Sequence, residues 1–220
     1  MSARPTHSGA PRAGWFLVLE GIDGAGKSEQ TRRLAATLRA RGERVVETRE
    51  PTDGPWGRRY RAWARGEGHA EPDEILEIFL RDRDEHVRDT ILPALAAGSI
   101  VVCDRYVAST RAYQSAAGVD PALLAHKLEA HPVPEPDLTL WLRLAVDVAL
   151  TRLGSADRER FEHAAFLERV DAAYARMALT PIDAQGSVSD VERAILARVD
   201  ARLAHPRAAA HDSPPPGPPR

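Results

Sequence analysis

Trp15-Phe16-Leu17-Val18-Leu19-Glu20-Gly21-Ile22-Asp23-Gly24-Ala25-Gly26-Lys27-Ser28 opens as an apolar run and closes as a glycine-spaced loop. The run is short and continuous, the pattern of a strand buried on both faces. The loop from Gly21 to Ser28 satisfies G-x-x-x-x-G-K-[ST] at every position. A helix is expected next, over 27–41, because Leu34 and Leu38 share a face and Gly42 is placed to stop it. A loop of this kind between a strand and a helix turns its backbone N–H groups inward as an anion nest, and the helix N-terminus adds partial positive charge. The expected ATP-binding residues are therefore Gly21, Ile22, Asp23, Gly24, Ala25, Gly26, Lys27 and Ser28. Lys27 suits the β- and γ-phosphates, and the Ser28 hydroxyl suits Mg²⁺.

Working outward, strand-like and helix-like segments alternate. Further strands are expected at 44–48, 100–103 and 138–142, with a weak fifth at 179–184 that Pro181 interrupts. Helices are expected over 72–97, 107–116, 121–130, 146–153, 162–178 and 188–203. This alternation implies an α/β fold with three layers, a five-stranded parallel sheet covered by helices on both faces. Ligands of such sheets sit beyond the carboxyl ends of the strands. Glu20, Arg49 and Asp104 all fall at those ends, so one cleft is expected there. Residues 1–14 read as a loose leader, 15–204 as the folded domain, and 205–220 as a Pro-rich tail, either disordered or a PxxP ligand.

Composition removes several alternatives. The chain of 220 residues carries a net charge of −2, so no global basic field exists to hold nucleic acid. The single cysteine, Cys103, precludes an internal disulfide and fits a reducing compartment; with no apolar segment long enough for a bilayer, the cytoplasm is expected. No asparagine is present, so the N-K-x-D motif by which GTPases read their base cannot occur. Glu29 stands where a dinucleotide-binding G-x-G-x-x-G would need its third glycine. The histidines show no ligand spacing. Only two lysines occur, Lys27 and Lys127, which makes a lysine at the motif position the more informative.

Phosphoryl transfer between two phosphates gathers negative charge, and its catalyst needs cations on donor, acceptor and transferring group. Arg49 and Arg105 end the second and third strands. Arg158 and Arg160 lie in a polar stretch at 154–160 suited to a mobile lid. Arginine's planar fork holds phosphate oxygens bidentately. Arg58, Arg59, Arg61 and Arg65 read instead as a solvated helix face. Phe79 and Arg83, four residues apart, share a helix face; they could form a base site of aromatic plate and hydrogen-bond fork, or a core phenylalanine beside a surface arginine.

From about residue 15 to 203 the chain resembles the thymidylate kinase family. The resemblance is carried by LEGIDGAGKS, TREPTDGPWG, FLRDR at 79–83, DRY at 104–106, STRAYQ at 109–114, PDLTLWL at 136–142 and RFE at 160–162. It implies the nucleoside-monophosphate kinase version of the P-loop fold, and transfer of the ATP γ-phosphoryl group to dTMP, with Mg²⁺. By the same resemblance Asp23 would lie near the acceptor sugar and the metal. Arg49 and Arg105 would hold the acceptor phosphate, with Asp104 beside them. Phe79 would stack on the base and Arg83 would bond its carbonyl edge. Thr110 and Gln114 would face the base or its surroundings, Tyr113 would favour deoxyribose, and Glu162 would support the metal and lid. Gly24 follows Asp23, so the lid arginines 158 and 160 would supply the catalytic cation. The implied partners are nucleotides and a second copy of the chain. The chain departs from the family in having Ala117 where an arginine usually follows Tyr-Gln. Two alternatives stay open: a kinase for another or modified pyrimidine nucleotide, and a non-catalytic P-loop regulator.

Overall fold

A computed structural model describes residues 14–154 and 163–204. Five strands form one sheet: β1 (Trp15–Glu20), β2 (Val45–Arg49), β3 (Ile100–Asp104), β4 (Leu138–Arg143) and β5 (Thr180–Asp183). Their order is β2-β3-β1-β4-β5, and every neighbouring pair is parallel. The register places Leu19 opposite Asp104 and Asp104 opposite Arg49, so three strands deliver their carboxyl ends at one level. β5 is an edge strand, where the missing N–H of Pro181 is tolerated.

The alternation of the buried strands sorts side chains into two apolar layers. On one face Leu17, Leu19, Val102, Leu140 and Leu142 pack with Leu34 and Leu38 of α1 (Lys27–Ala40) and with Val191, Ile195 and Val199 of α9 (Val188–Leu203). On the other, Phe16, Val18, Val101 and Cys103 meet Val87, Ile91 and Leu95. Each large side chain buried this way contributes about 1.5–3 kcal/mol. The remaining helices are α2 (Pro55–Ala64), α3 (Pro72–His86), α4 (Leu92–Ala96), α5 (Val107–Ala117), α6 (Pro121–Ala130), α7 (Val146–Leu153) and α8 (Ala164–Tyr174). The three-layer α/β fold with a five-stranded parallel sheet is the one expected from the sequence.

Two local expectations need correction. The helix expected over 72–97 is not one regular helix: α3 passes into a π-helical turn, Val87–Ile91, and then α4, with the Leu92 N–H bonded to the Val87 carbonyl. Pro93, which has no N–H for the carbonyl four residues back, follows at once and favours a break in the regular ladder. The arginines of α2 are not all solvated. Arg58, Arg59 and Arg65 are exposed, but Arg61, with 27% of its side chain exposed, turns back to donate to the carbonyls of Pro51 and Thr52. Arg158, Arg160 and Glu162, most of the lid at 154–160, the tail, and all of the leader but Gly14 lie outside the described residues.

Candidate functional site

The glycine loop is held by close packing. A Cβ at Gly24 would stand 2.5 Å from the Ala149 carbonyl oxygen, and one at Gly21 would stand 2.7 Å from that of Leu142. Gly24 and Gly26 also have φ of 80° and 88°, a region other residues enter at a cost. Inside the loop, buried Lys27 donates from Nζ to the Ile22 carbonyl at 2.7 Å. Burial, and then the nearby Arg105 charge, push Lys27 down to about 8. An amine in that state gains from any anion that enters the loop.

At the end of β3, Asp104 accepts from Ser28 Oγ at 2.5 Å through one carboxylate oxygen. Its other oxygen, Oδ1, is buried and meets no hydrogen-bond partner among the described residues. A hydroxyl beside a carboxylate with an unfilled oxygen suits Mg²⁺, which takes oxygen ligands and keeps waters and phosphates for the rest of its shell. No group of three or more histidine, cysteine, aspartate or glutamate side chains that could cage a metal occurs among the described residues.

Arg105 follows Asp104 in the left-handed region, with φ of 70°, and no other non-glycine residue among those described has a positive φ. Its guanidinium is held from four sides. Nη1 donates to the Gly21 carbonyl at 3.1 Å and Ser109 Oγ at 3.2 Å; Nη2 donates to Tyr113 Oη at 3.2 Å and to the Asp23 carboxylate. Tyr113 Oη in turn donates to Asp23 at 2.6 Å. Burial would raise the Asp23 pKa, but Arg105 and then Lys27 hold it below the usual carboxylate value. Asp23, Arg105 and Tyr113 of the expected set are thus one hydrogen-bonded cluster, with the Lys27 charge close enough to act on it.

The stretch after β2 is tied to α3 by buried pairs. Arg83, 2% exposed, donates from Nε and Nη2 to one oxygen of Glu50 at 2.9 and 2.7 Å, and from Nη2 to Thr110 Oγ1 at 2.8 Å. It is therefore no surface arginine. Its Nη1 is buried and has no hydrogen-bond partner among the described residues. The other Glu50 oxygen meets His86 Nδ1 at 3.0 Å, and His86 Nε2 lies 2.7 Å from Thr48 Oγ1. Burial alone would raise the Glu50 pKa, yet the Arg83 charge holds it below the ordinary value. Asp82, next in the helix, accepts from the Thr52 N–H at 2.7 Å and the Thr52 hydroxyl at 2.6 Å. Arg49 is the open member, with 58% of its side chain exposed and an ion pair to Asp53 at 2.7 Å.

These groups surround two cavities. The first, about 370 Å³, is lined by Arg49, Phe79, Arg83, Thr110 and Tyr113 on its walls. The second, about 610 Å³, runs from the glycine loop to Arg152, Ala184 and the segment Gly186, Ser187 and Val188. Both are bounded by Asp23, Ser28, Asp104 and Arg105, so they adjoin there. Of the expected residues among those described, Gly21, Ile22 and Gln114 line neither cavity; Gln114 is fully buried one turn beyond Thr110, with its amide lacking hydrogen-bond partners among the described residues.

Several cavity residues escaped the sequence reading. Glu50 stood inside the TREP motif but was not singled out. Tyr60 and Arg61 line the first cavity, and the Tyr60 ring lies 4.7 Å from that of Phe79. Arg61 was hidden among neighbouring arginines. Arg152 and residues 186–188 carry no local signal: Arg152 is delivered by α7, which packs on Gly24, and residues 186–188 reach the glycine loop only through the return of the chain after β5.

The family model for thymidylate kinase matches residues 19–195. A thymidylate kinase of Desulfotalea psychrophila is 39% identical over 192 residues, covering 84% of this chain and 94% of the relative. Thymidylate kinases of Xanthomonas oryzae pv. oryzae and Xanthomonas campestris pv. campestris are 42% and 44% identical over 198 residues, covering 87% of this chain and 85% of each relative.

Proposed function

The chain belongs to the thymidylate kinase family, and on that footing we propose that it transfers the γ-phosphoryl group of ATP to the 5′-phosphate of dTMP, giving dTDP. Membership makes it a phosphotransferase acting on nucleotides, with the ATP and Mg²⁺ use typical of nucleoside-monophosphate kinases. No helix among the described residues is long and apolar enough to cross a membrane.

The observation that carries the proposal is the meeting of two nucleotide-sized cavities at Asp23, Ser28, Asp104 and Arg105. Two phosphate chains entering from opposite sides would be brought end to end at that junction, the geometry that in-line transfer requires. In this reading the larger cavity takes ATP, with its phosphates on the loop amides and Lys27 and its base toward residues 186–188. The smaller takes dTMP. Phe79 offers a ring face to the base, and Arg83 offers its unfilled Nη1 to a carbonyl edge. Arg49 and Arg105 meet the acceptor phosphate.

Ser28 and Asp104 would hold Mg²⁺, which neutralises charge between the donor phosphates when bound. Asp23 keeps Arg105 aimed at the junction and, with Tyr113, walls the sugar. Arg158 and Arg160 remain the proposed source of the cation on the transferring group, and Glu162 its support. The family's homodimer is part of the same proposal.

A second reading, a kinase for another or modified pyrimidine monophosphate, is favoured by Ala117 in the place of the family arginine. A coupled ADP-release assay across dTMP, dUMP, dCMP and dGMP separates the two. Preference for dTMP supports the proposal; equal or faster turnover of another acceptor overturns it. ATP binding without acceptor-dependent turnover would mark a regulator.

A further inference from the structure

Glu20, the last residue of β1, is fully buried and touches neither wall of the acceptor cavity. Its Oε1 accepts from the N–H groups of Tyr106 at 2.9 Å and Ser109 at 3.2 Å, at the start of α5. Those donors belong to a helix N-terminus, where no intrahelical acceptor exists for them, and the helix dipole favours an anion there. Glu20 Oε2 accepts from the Ser109 hydroxyl and, at 3.0 Å, from the hydroxyl of Tyr174 at the end of α8. Tyr174 is itself fully buried, its ring stacked on Trp141 at 6.1 Å, and it lines neither nucleotide cavity.

The hydrogens can be counted along this chain. Ser109 Oγ has one hydrogen, and giving it to Glu20 leaves the oxygen's lone pairs for Arg105 Nη1 at 3.2 Å. The Tyr174 hydrogen fills the remaining need of Oε2. Without the tyrosine hydroxyl, which also lies 2.8 Å from Ser109 Oγ, Oε2 keeps the serine hydrogen alone, and the carboxylate that orients Ser109 has lost one of its four donors. Arg105, already in the left-handed backbone region, then has one of the four contacts that aim its guanidinium, the one to Ser109, held less firmly.

We propose that Tyr174, acting through Ser109 and Glu20, is a positioning residue that sets Arg105 for the acceptor phosphate. This rests on the reading of Arg105 as a phosphate contact. It assigns to α8 a role in the acceptor site that no contact with nucleotide would reveal.

The test compares a monophosphate with its nucleoside by calorimetry on the full chain. Tyr174→Phe removes only the hydroxyl and keeps the ring on Trp141. It should weaken dTMP binding about fivefold to tenfold and leave thymidine binding within about twofold of wild type. In an Arg105→Ala background, Tyr174→Phe should add less than about twofold. Glu20→Gln, which keeps the shape and removes the charge, should act in the same direction as Tyr174→Phe. An equal loss for dTMP and thymidine, no loss for dTMP, or a full additive loss in the Arg105→Ala background overturns the proposal. Should wild type bind another monophosphate in place of dTMP, the base assignment fails on its own, and the same comparison is made with that monophosphate and its nucleoside.

Discussion

Replacing Glu50 by glutamine tests whether the buried pairing that holds Arg83 in the proposed base site has the energetic weight its geometry implies. The carboxylate takes two hydrogen bonds from Arg83, at 2.9 and 2.7 Å, and contacts His86 at 3.0 Å, and both Glu50 and Arg83 are buried. Breaking a buried ion pair by removing one partner costs about 3–5 kcal/mol, because the other charge is left uncompensated. Glutamine keeps one oxygen that can accept from Arg83, a bond contributing about 1.5 kcal/mol. Glu50→Gln should therefore lose about 1.5–3.5 kcal/mol of unfolding free energy, read from the urea midpoint at unchanged slope. The sign with pH is fixed. Because the folded-state pKa of Glu50 lies below its ordinary value of 4.5, its contribution is complete above that value and is lost as pH falls through the folded one. The gap between wild type and variant should close in acid. Adding Arg83→Met to Glu50→Gln should recover part of the loss, since the stranded charge is removed. A loss below about 0.5 kcal/mol at neutral pH would refute the buried pairing.

Lys27→Ala should lower turnover at least roughly a hundredfold, about 3 kcal/mol of transition-state stabilisation, measured as kcat/KM with saturating acceptor; near-normal turnover contradicts the role of the glycine loop. Arg49→Ala should raise the acceptor KM about tenfold or more and leave the ATP KM within about twofold, whereas a change confined to ATP reverses the donor and acceptor sides. With Lys27 pushed down to about 8 in the free protein, bound phosphate should raise its pKa, so ATP binding takes up a proton above that pH and weakens as pH rises further; calorimetry in buffers of different ionisation enthalpy reads the uptake, and a flat affinity from pH 7 to 9.5 contradicts it. The same depression means the free fold gains stability as pH rises from about 8 toward the ordinary lysine value of 10.5, because the unfolded chain binds the proton longer.

What could be read from the sequence was local. The strand, glycine loop and helix from Trp15 to Ala40 carry their own periodicity and turn chemistry, and the structure reproduces them to within a residue. The parallel sheet followed from alternation alone. Arg49, Asp104 and Arg105 can be placed at or beside the strand ends because those ends are located without knowing the partners. The rest depended on distance in the chain. Glu50 and Arg83 are 33 residues apart, and nothing in either neighbourhood shows that α3 crosses the end of β2. Tyr174 reaches Glu20 across 154 residues. The π-helical turn was concealed by apolar spacing that a regular helix would also produce, and Pro93 alone hinted at it. Arg105 adopts a positive φ with no glycine to announce it; its four tertiary contacts hold a conformation that local propensity disfavours.

The central claim is that an acceptor nucleotide lies in the smaller cavity with its phosphate at Arg105 and its base at Phe79. A crystal structure with dTMP and a non-hydrolysable ATP analogue measures this directly. The account predicts the thymine ring on the face of Phe79, the 5′-phosphate within hydrogen-bond distance of Arg49 and Arg105, and the analogue's phosphates in the glycine loop. A dTMP molecule bound with its base against residues 186–188, or with its phosphate away from both arginines, contradicts it.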